Sequence, residues 1–219
     1  CQIASQDGLE VLNEFFGPET VERIGPGTAS AVTACNVFAH VDDIRAFTQS
    51  VKQLLKPKGV FVLEVQYLGA MLADTSFDNV YLEHLSYFSL SPLAHFFAAQ
   101  GMEVIDCNLV PTHGGSLRVA VAKAGALKVS TAVGAWLQRE RELGLNTLGV
   151  FEGFAQRVTK VQVELPKLLA GLDGLVAGFG AAAKSTTILN YCGIGPDTLR
   201  YIVDDSPLKQ GTWSPGTHI

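Results

Sequence analysis

The sequence is short of charge. Asp, Glu, Lys and Arg make up 17% of its 219 residues while 47% are hydrophobic. An average soluble chain carries about 25% charged residues, and a composition this apolar excludes intrinsic disorder. Long runs of one sign are also missing: 16 Lys plus Arg oppose 21 Asp plus Glu for a net charge of −5, which leaves no basic footprint for a nucleic acid. No uncharged apolar stretch approaches the ~20 residues that span a bilayer, and the start does not read as a signal peptide. No membrane partner is therefore expected, and a soluble cytoplasmic protein is. The cysteines Cys1, Cys35, Cys107 and Cys192 never form a Cys-x-x-Cys pair, which excludes a disulfide framework and a structural zinc site. Their apolar contexts predict small core residues. The chain starts at Cys1 rather than Met and ends at Ile219 just after a Pro-Gly turn, so it reads as a piece of something longer. Its length allows one large or two small domains of ~100 to 150 residues.

What is present is an alternation of strands and helices. Thr28 to Cys35, small and β-branched without alternation, predicts a buried strand of a parallel sheet. Asp42 or Asp43 then caps a helix with Ile44, Phe47, Val51, Leu54 and Leu55 at helical spacing, closed by Pro57 and Gly59. Val60 to Val65 is a second buried strand, completing a βαβ unit. Ser91 and Pro92 start another helix that Gly101 ends, and Met102 to Leu109 and Ser116 to Ala122 are strands. The connection between those two strands is too short for a parallel return, so the sheet ends in an antiparallel strand. Residues 124–173 are helical in two segments divided near Gly144 to Thr147, with Trp136, Leu137, Phe151, Phe154, Val158 and Val161 as buried candidates. Pro166 should kink or restart the second segment. Leu175 to Phe179, Ala182 to Tyr191 and Tyr201 to Asp204 then give strand, helix and strand. The predicted fold is α/β, with domains at 1–123 and 174–219 flanking a helical connector at 124–173.

Four clusters could carry chemistry. The densest, Asn79 to Ser89, lies beyond the carboxyl end of the Val60 to Val65 strand, where open α/β sheets bind ligands. In it an imidazole (His84), an adjacent carboxylate (Glu83) and a phenol three residues away (Tyr81) suit proton abstraction beside a carbonyl. A polar cluster satisfied within its own loop would have the same spacing. At the end of the first strand, Asn36 and His40 either contact a ligand or build a turn. His113-Gly114-Gly115-Ser116-Leu117-Arg118 either approaches an anion with backbone amides and Arg118, or is a simple Gly-Gly hairpin. Gly178 to Lys184 stands between strand and helix, where amides and Lys184 could meet a phosphate, and Asp204 follows at the distance of a ribose-binding acid. Close strand-helix packing explains those glycines as well.

Taken together, these segments resemble the sugar C-methyltransferase family, which uses S-adenosylmethionine to methylate nucleotide-linked keto-sugars. The resemblance rests on Asn36 to His40, Gly59 to Glu64 with Tyr67 and Leu68, Tyr81 to Leu90, His113 to Arg118, Gly178 to Lys184, Leu189 to Tyr191, and Asp204 through Pro207 to Gly211 and Pro215 to Ile219, in that order. It implies the later half of a Rossmann-like methyltransferase sheet, followed by helices and part of a carboxy-terminal α/β unit that helps hold a nucleotide-diphosphate sugar. It implies His84 as base, Tyr81 at the enolate oxygen and Glu83 orienting His84 or binding sugar. Asn36, Phe38 and His40 would line the cofactor, and Lys184, Asn190, Tyr191, Lys209 and Arg118 the substrate. Zinc belongs to an amino-terminal domain that the family carries and this sequence lacks. The Gly-rich cofactor loop is missing too, so the chain alone is expected to bind cofactor poorly. The family shows Tyr-His-Glu-His where this chain has Tyr81-Leu82-Glu83-His84, a departure that leaves the implied base in place. An uncapped sheet edge at the amino end makes an oligomer possible.

Two other readings compete. A dinucleotide-dependent oxidoreductase would use Gly178 to Lys184 and Asp204, and leaves the Tyr81 to Leu90 cluster unused. A non-catalytic interaction module would keep the fold without the cofactor loop.

Overall fold

The computed structural model describes residues 2–219; Cys1, and the core position expected for it, lie outside the described residues. Contacts divide the chain into two compact units, the first made of 1–65, 90–110 and 116–137, the second of 66–89, 111–115 and 138–219. Each is described by itself. The stretch expected as a connector contributes 124–137 to the first and 138–173 to the second.

The first unit is a four-stranded sheet with helices. After α1 (Gln2–Gln6) and α2 (Pro18–Ile24) come β1 (Ala29–Cys35), α3 (Ile44–Leu54) and β2 (Leu55–Gln66). Then, beyond the loops of the second unit, come α5 (Leu90–Ala99), β3 (Met102–Val110), β4 (Ser116–Lys123) and the start of α6 (Thr131–Glu142); α4 (Leu68–Ala73) precedes α5 in the chain. Asp43 caps α3 by accepting from the amides of Arg45 at 3.0 Å and Ala46 at 2.9 Å, which is the expected start. The order across the sheet is β1-β2-β4-β3. β1 runs parallel to β2, and β4 antiparallel to β3. The last strand of this sheet in chain order, β4, is thus reversed, as expected from its short connection, and it sits inside the sheet rather than at its rim. Pro57 falls where the β1/β2 register shifts, so its missing amide costs no ladder bond.

Phe38, Phe61 and Phe97 are fully buried and pack edge-to-face or stacked at 6.1 to 6.3 Å, with Phe47 and Phe96 against them. Leu117, Val119 and Val121 of β4 are fully buried too, as an interior strand requires. β1 corrects the expectation of a buried strand. Ser30, Ala31, Thr33 and Cys35 are exposed and Ala34 alone is buried, because among the described residues β2 is its one neighbour in the sheet. Cys35 is consequently a surface thiol, whereas Cys107 and Cys192 are core residues.

In the second unit α7 (Leu148–Ala170) packs on α8 (Ala183–Cys192), and the short strands β5 (Gly178–Phe179) and β6 (Ile202–Val203) pair in parallel. Its core is Phe77, Val158, Leu189, Cys192, Ile194, Leu199 and Ile219. Pro166 does not restart α7, which continues as one helix to Ala170. One backbone bond, to the Gln162 carbonyl, is all that its missing amide removes, close to the helix end. Phe151, expected to be buried, is 37% exposed.

Candidate functional site

A single-turn 3₁₀ segment, Phe77 to Asn79, anchors the loop that carries Tyr81, Glu83 and His84. Asn79 is 2% exposed and ties down its own turn, its side-chain amide donating to the Ser76 carbonyl at 3.1 Å. The same residue's carbonyl then serves the functional side chains. It lies 2.7 Å from His84 Nδ1 and accepts from the Tyr87 hydroxyl at 3.3 Å. The far end of the loop is held by Phe88, which bridges to Tyr67 and whose carbonyl accepts from the Leu68 amide at 2.8 Å. From α7, Arg157 donates to the Leu72 carbonyl at 2.6 Å and to Thr75 Oγ1 at 2.9 Å, fixing the segment that leads into the turn.

The imidazole of His84 is partly buried, and its Nε2 lies 3.2 Å from the Tyr81 hydroxyl. A carbonyl only accepts, so Nδ1 carries the proton and, in the neutral ring, Nε2 keeps the lone pair and faces Tyr81 O–H. The Tyr81 and His84 rings are 4.2 Å apart, and Tyr87 meets His84 edge-on at 6.2 Å and 89°. Burial, and then the carboxylates of Glu83 and Asp78, push the Tyr81 phenol up, keeping it a donor. Glu83 is exposed and acts on Tyr81 through its charge. Tyr81 and His84, two of the three residues expected at the site, are thus in contact, with the Tyr81 hydroxyl on Nε2. Asn79, Tyr87 and Arg157 were not singled out from the sequence. Asn79 acts through its main chain and Arg157 from a distant helix, so neither leaves a signal in spacing.

In the first unit, Asn36 stands at the carboxyl end of β1 with φ 54°, its amide bonded to the Glu64 carbonyl at 2.9 Å. Asn36 and His40 are exposed. Phe38, expected to line a cofactor, has no exposed surface and its ring fills the aromatic core. It supports the turn from beneath and offers no side-chain surface to a ligand. Arg118, expected on a phosphate, instead donates from Nε at 3.0 Å and Nη2 at 2.8 Å to Glu64 Oε2. That carboxylate is nearly buried, its side chain 6% exposed, and it takes up the guanidinium's charge. The Gly-Gly stretch forms a turn after a 3₁₀ segment: Gly114 and Gly115 have φ 83° and 121°, and the Gly115 amide donates to the Thr112 carbonyl at 3.0 Å.

The carboxy-terminal segment encloses a cavity of about 610 Å³ whose lining includes Ser185, Asp204, Lys209, Thr212 and Trp213. Lys209 lies in that lining, while Lys184 is outside it. Asp204 accepts from the Ala181 and Ser206 amides at 2.7 and 2.9 Å and from Lys209 at 3.3 Å. These bonds hold its carboxyl below the usual carboxylate range, the two amides contributing most. The acid that the oxidoreductase reading needs for a ribose is therefore engaged by its own turn. Gly178 is explained by packing, since a Cβ there would meet Ile202 and Leu199 at 3.2 and 3.3 Å. Asn190 donates to the Thr186 and Pro215 carbonyls at 2.8 and 3.0 Å, and Tyr191 lays its ring 5.2 Å from Phe77. Both bind the unit together. Among the described residues no three His, Cys, Asp or Glu side chains gather, and no helix is long and apolar enough to cross a membrane.

Comparison with known proteins adds the lineage. Residues 111–219 match the C-methyltransferase C-terminal domain family and residues 4–106 match the methyltransferase domain family. The C-methyltransferase NovU of Streptomyces niveus is 37% identical over 223 residues, covering 99% of this chain. The chain spans about half of that relative's length, 53%. Among solved structures, a mitomycin 7-O-methyltransferase is 17% identical, with 56% of this chain and 38% of that one covered at a TM-score of 0.45. A Burkholderia thailandensis 1,6-didemethyltoxoflavin-N1-methyltransferase is 19% identical, with 45% of each chain covered at a TM-score of 0.36.

Proposed function

We propose that this chain supplies the base and the substrate-binding part of an S-adenosylmethionine-dependent C-methyltransferase acting on a nucleotide-linked keto-deoxysugar. The observation that carries the reading is the pairing of Tyr81 Oη with Nε2 of a half-buried His84 whose Nδ1 is fixed on the Asn79 carbonyl. A ketone acidifies the neighbouring sugar C–H, and Nε2 removes that proton. Tyr81 O–H donates to the oxygen on which negative charge develops. Glu83, exposed next to His84 in the chain, is the acid assigned to the sugar's hydroxyls.

S-adenosylmethionine, when bound, supplies an electrophilic methyl group. Asn36 and His40, exposed at the carboxyl end of β1, fit the polar flank of such a ligand; Phe38 does not, for the reason given above. Cys35 and Val37 are exposed beside them. The nucleotide end is assigned to the carboxy-terminal cavity, where Lys209 offers positive charge and Trp213, 73% exposed, a flat face for a base. Lys184 remains a second candidate for the diphosphate.

Proton exchange beside a ketone needs no methyl donor, so it reads the base alone. Incubated in deuterium oxide with a nucleoside-diphosphate 4-keto-deoxysugar, the protein should wash deuterium into the adjacent carbon. His84→Asn should slow this by roughly 10²-fold or more. Equal exchange by His84→Asn removes His84 as the base.

A further inference from the structure

We infer that Tyr81 masks the base in the resting site, so that His84 Nε2 is released only when a ketone oxygen takes over the Tyr81 hydroxyl. The inference rests on the function proposed above and adds a gate to it. Both imidazole nitrogens are engaged within the loop, Nδ1 on the Asn79 carbonyl at 2.7 Å and Nε2 on the Tyr81 hydroxyl at 3.2 Å. Nδ1 donates to a backbone carbonyl and cannot serve as a base. The one lone pair suited to taking a C–H proton is the one that Tyr81 O–H occupies.

The same hydroxyl is the donor that a developing enolate oxygen needs. The two demands on it are mutually exclusive in the resting site and compatible with substrate bound. When the ketone oxygen accepts from Tyr81 O–H, the Tyr81–His84 bond breaks and the Nε2 lone pair faces the substrate. Nε2 then takes the proton from the carbon beside the ketone, and the C–H electron pair forms the enolate double bond. The carbonyl π pair moves to the oxygen, where Tyr81 O–H meets it. Protons and electrons balance without a co-reactant. A molecule without a correctly placed carbonyl leaves the lone pair covered, which makes base release depend on the substrate.

Apart from its contact with Tyr81, the His84 ring is held by the Asn79 carbonyl and the Tyr87 edge, so when the phenol leaves Nε2 these contacts keep the imidazole in place.

The test uses the substrate-free protein and diethyl pyrocarbonate, which acylates an imidazole nitrogen that carries a lone pair. His95 and His113, both exposed, serve as internal references by mass spectrometry. Tyr81→Phe should raise the His84 rate relative to those two by about five-fold, the protection that one ordinary hydrogen bond confers. Tyr87→Phe should leave the ratio near its original value. An unchanged ratio in Tyr81→Phe overturns the mask. A second reading needs no variant: nitrogen NMR of the wild-type protein should find His84 in the Nδ1–H tautomer, and the Nε2–H tautomer would overturn the mask equally. Neither measurement involves turnover, so a failed mask is told apart from a failed assignment of the reaction, which the deuterium exchange decides.

Discussion

Arg118 and Glu64 face each other across the neighbouring strands β4 and β2, and two guanidinium nitrogens converge on one carboxylate oxygen. The same Glu64 accepts, through its main-chain carbonyl, from the amide of Asn36. The ion pair therefore supports the turn assigned to the cofactor side from below. Glu64 is nearly buried and Arg118 half exposed. Removing the guanidinium strands a carboxylate, which costs ~3–5 kcal/mol in a dry interior and roughly 2–3 kcal/mol here, where water reaches the cation's side. Urea denaturation of Arg118→Met should show that loss. Adding Glu64→Gln should recover part of it, because the stranded group is then neutral. Additive losses in the double variant would mean that the pair does not interact.

Phe38 and His40 separate support from contact. The Phe38 ring has no exposed surface and touches four other rings at 5.8 to 6.3 Å, so Phe38→Ala should cost about 3–5 kcal/mol in denaturant unfolding. His40 is exposed at the same turn. His40→Ala should change stability by less than about 0.5 kcal/mol and should weaken S-adenosylhomocysteine binding in calorimetry. A stability loss for His40→Ala matching that for Phe38→Ala would contradict the division.

Much of this architecture is legible in the sequence for identifiable reasons. Asp43 ahead of Ile44, Phe47, Val51 and Leu54 announces both the start and the face of α3. The few residues between Val110 and Ser116 permit only an antiparallel return. What is hidden depends on neighbours. A phenylalanine in a strand-to-helix turn looks the same in sequence whether it lines a ligand or fills the core, and Phe38 fills the core. Arg118 beside two glycines suggests an anion until Glu64, 54 residues earlier, is seen to hold it. The tautomer of His84 is set by a backbone carbonyl, which every residue has and no sequence marks.

Asp204 gives a pH dependence with a defined sign. Amide bonds from Ser206 and Ala181, with Lys209 alongside, hold its carboxyl below the usual range. A carboxyl lowered on folding contributes stability above its unfolded value, and that contribution is lost as pH falls through its folded value. Asp204→Asn should therefore lower the melting temperature near pH 7, and the gap to the wild type should close as the pH is taken below about 4. A gap that persists undiminished in acid would show that geometry rather than charge holds this turn.

Gly216 tests how the rim of the carboxy-terminal cavity is held. Its φ is 79°, and a Cβ built on it would collide with the side-chain amide of Asn190. That amide is itself committed, donating to the Thr186 carbonyl at 2.8 Å on α8 and to Pro215 at 3.0 Å beside the glycine. Gly216→Ala thus meets two separate penalties. The left-handed backbone costs about 1–2 kcal/mol in any context, and displacing Asn190 removes hydrogen bonds worth about 1 kcal/mol each. Asn190→Ala alone loses those bonds but creates space. In the double variant the collision is gone and only the backbone strain adds to the lost bonds. Denaturation should accordingly find the double variant more stable than the sum of the single losses predicts, by about 2 kcal/mol, because the two bonds of Asn190 are lost once rather than twice. Strict additivity would mean that Asn190 does not pack on Gly216, and that the segment lining the cavity with Ser214 and Pro215 is held by its own turn alone.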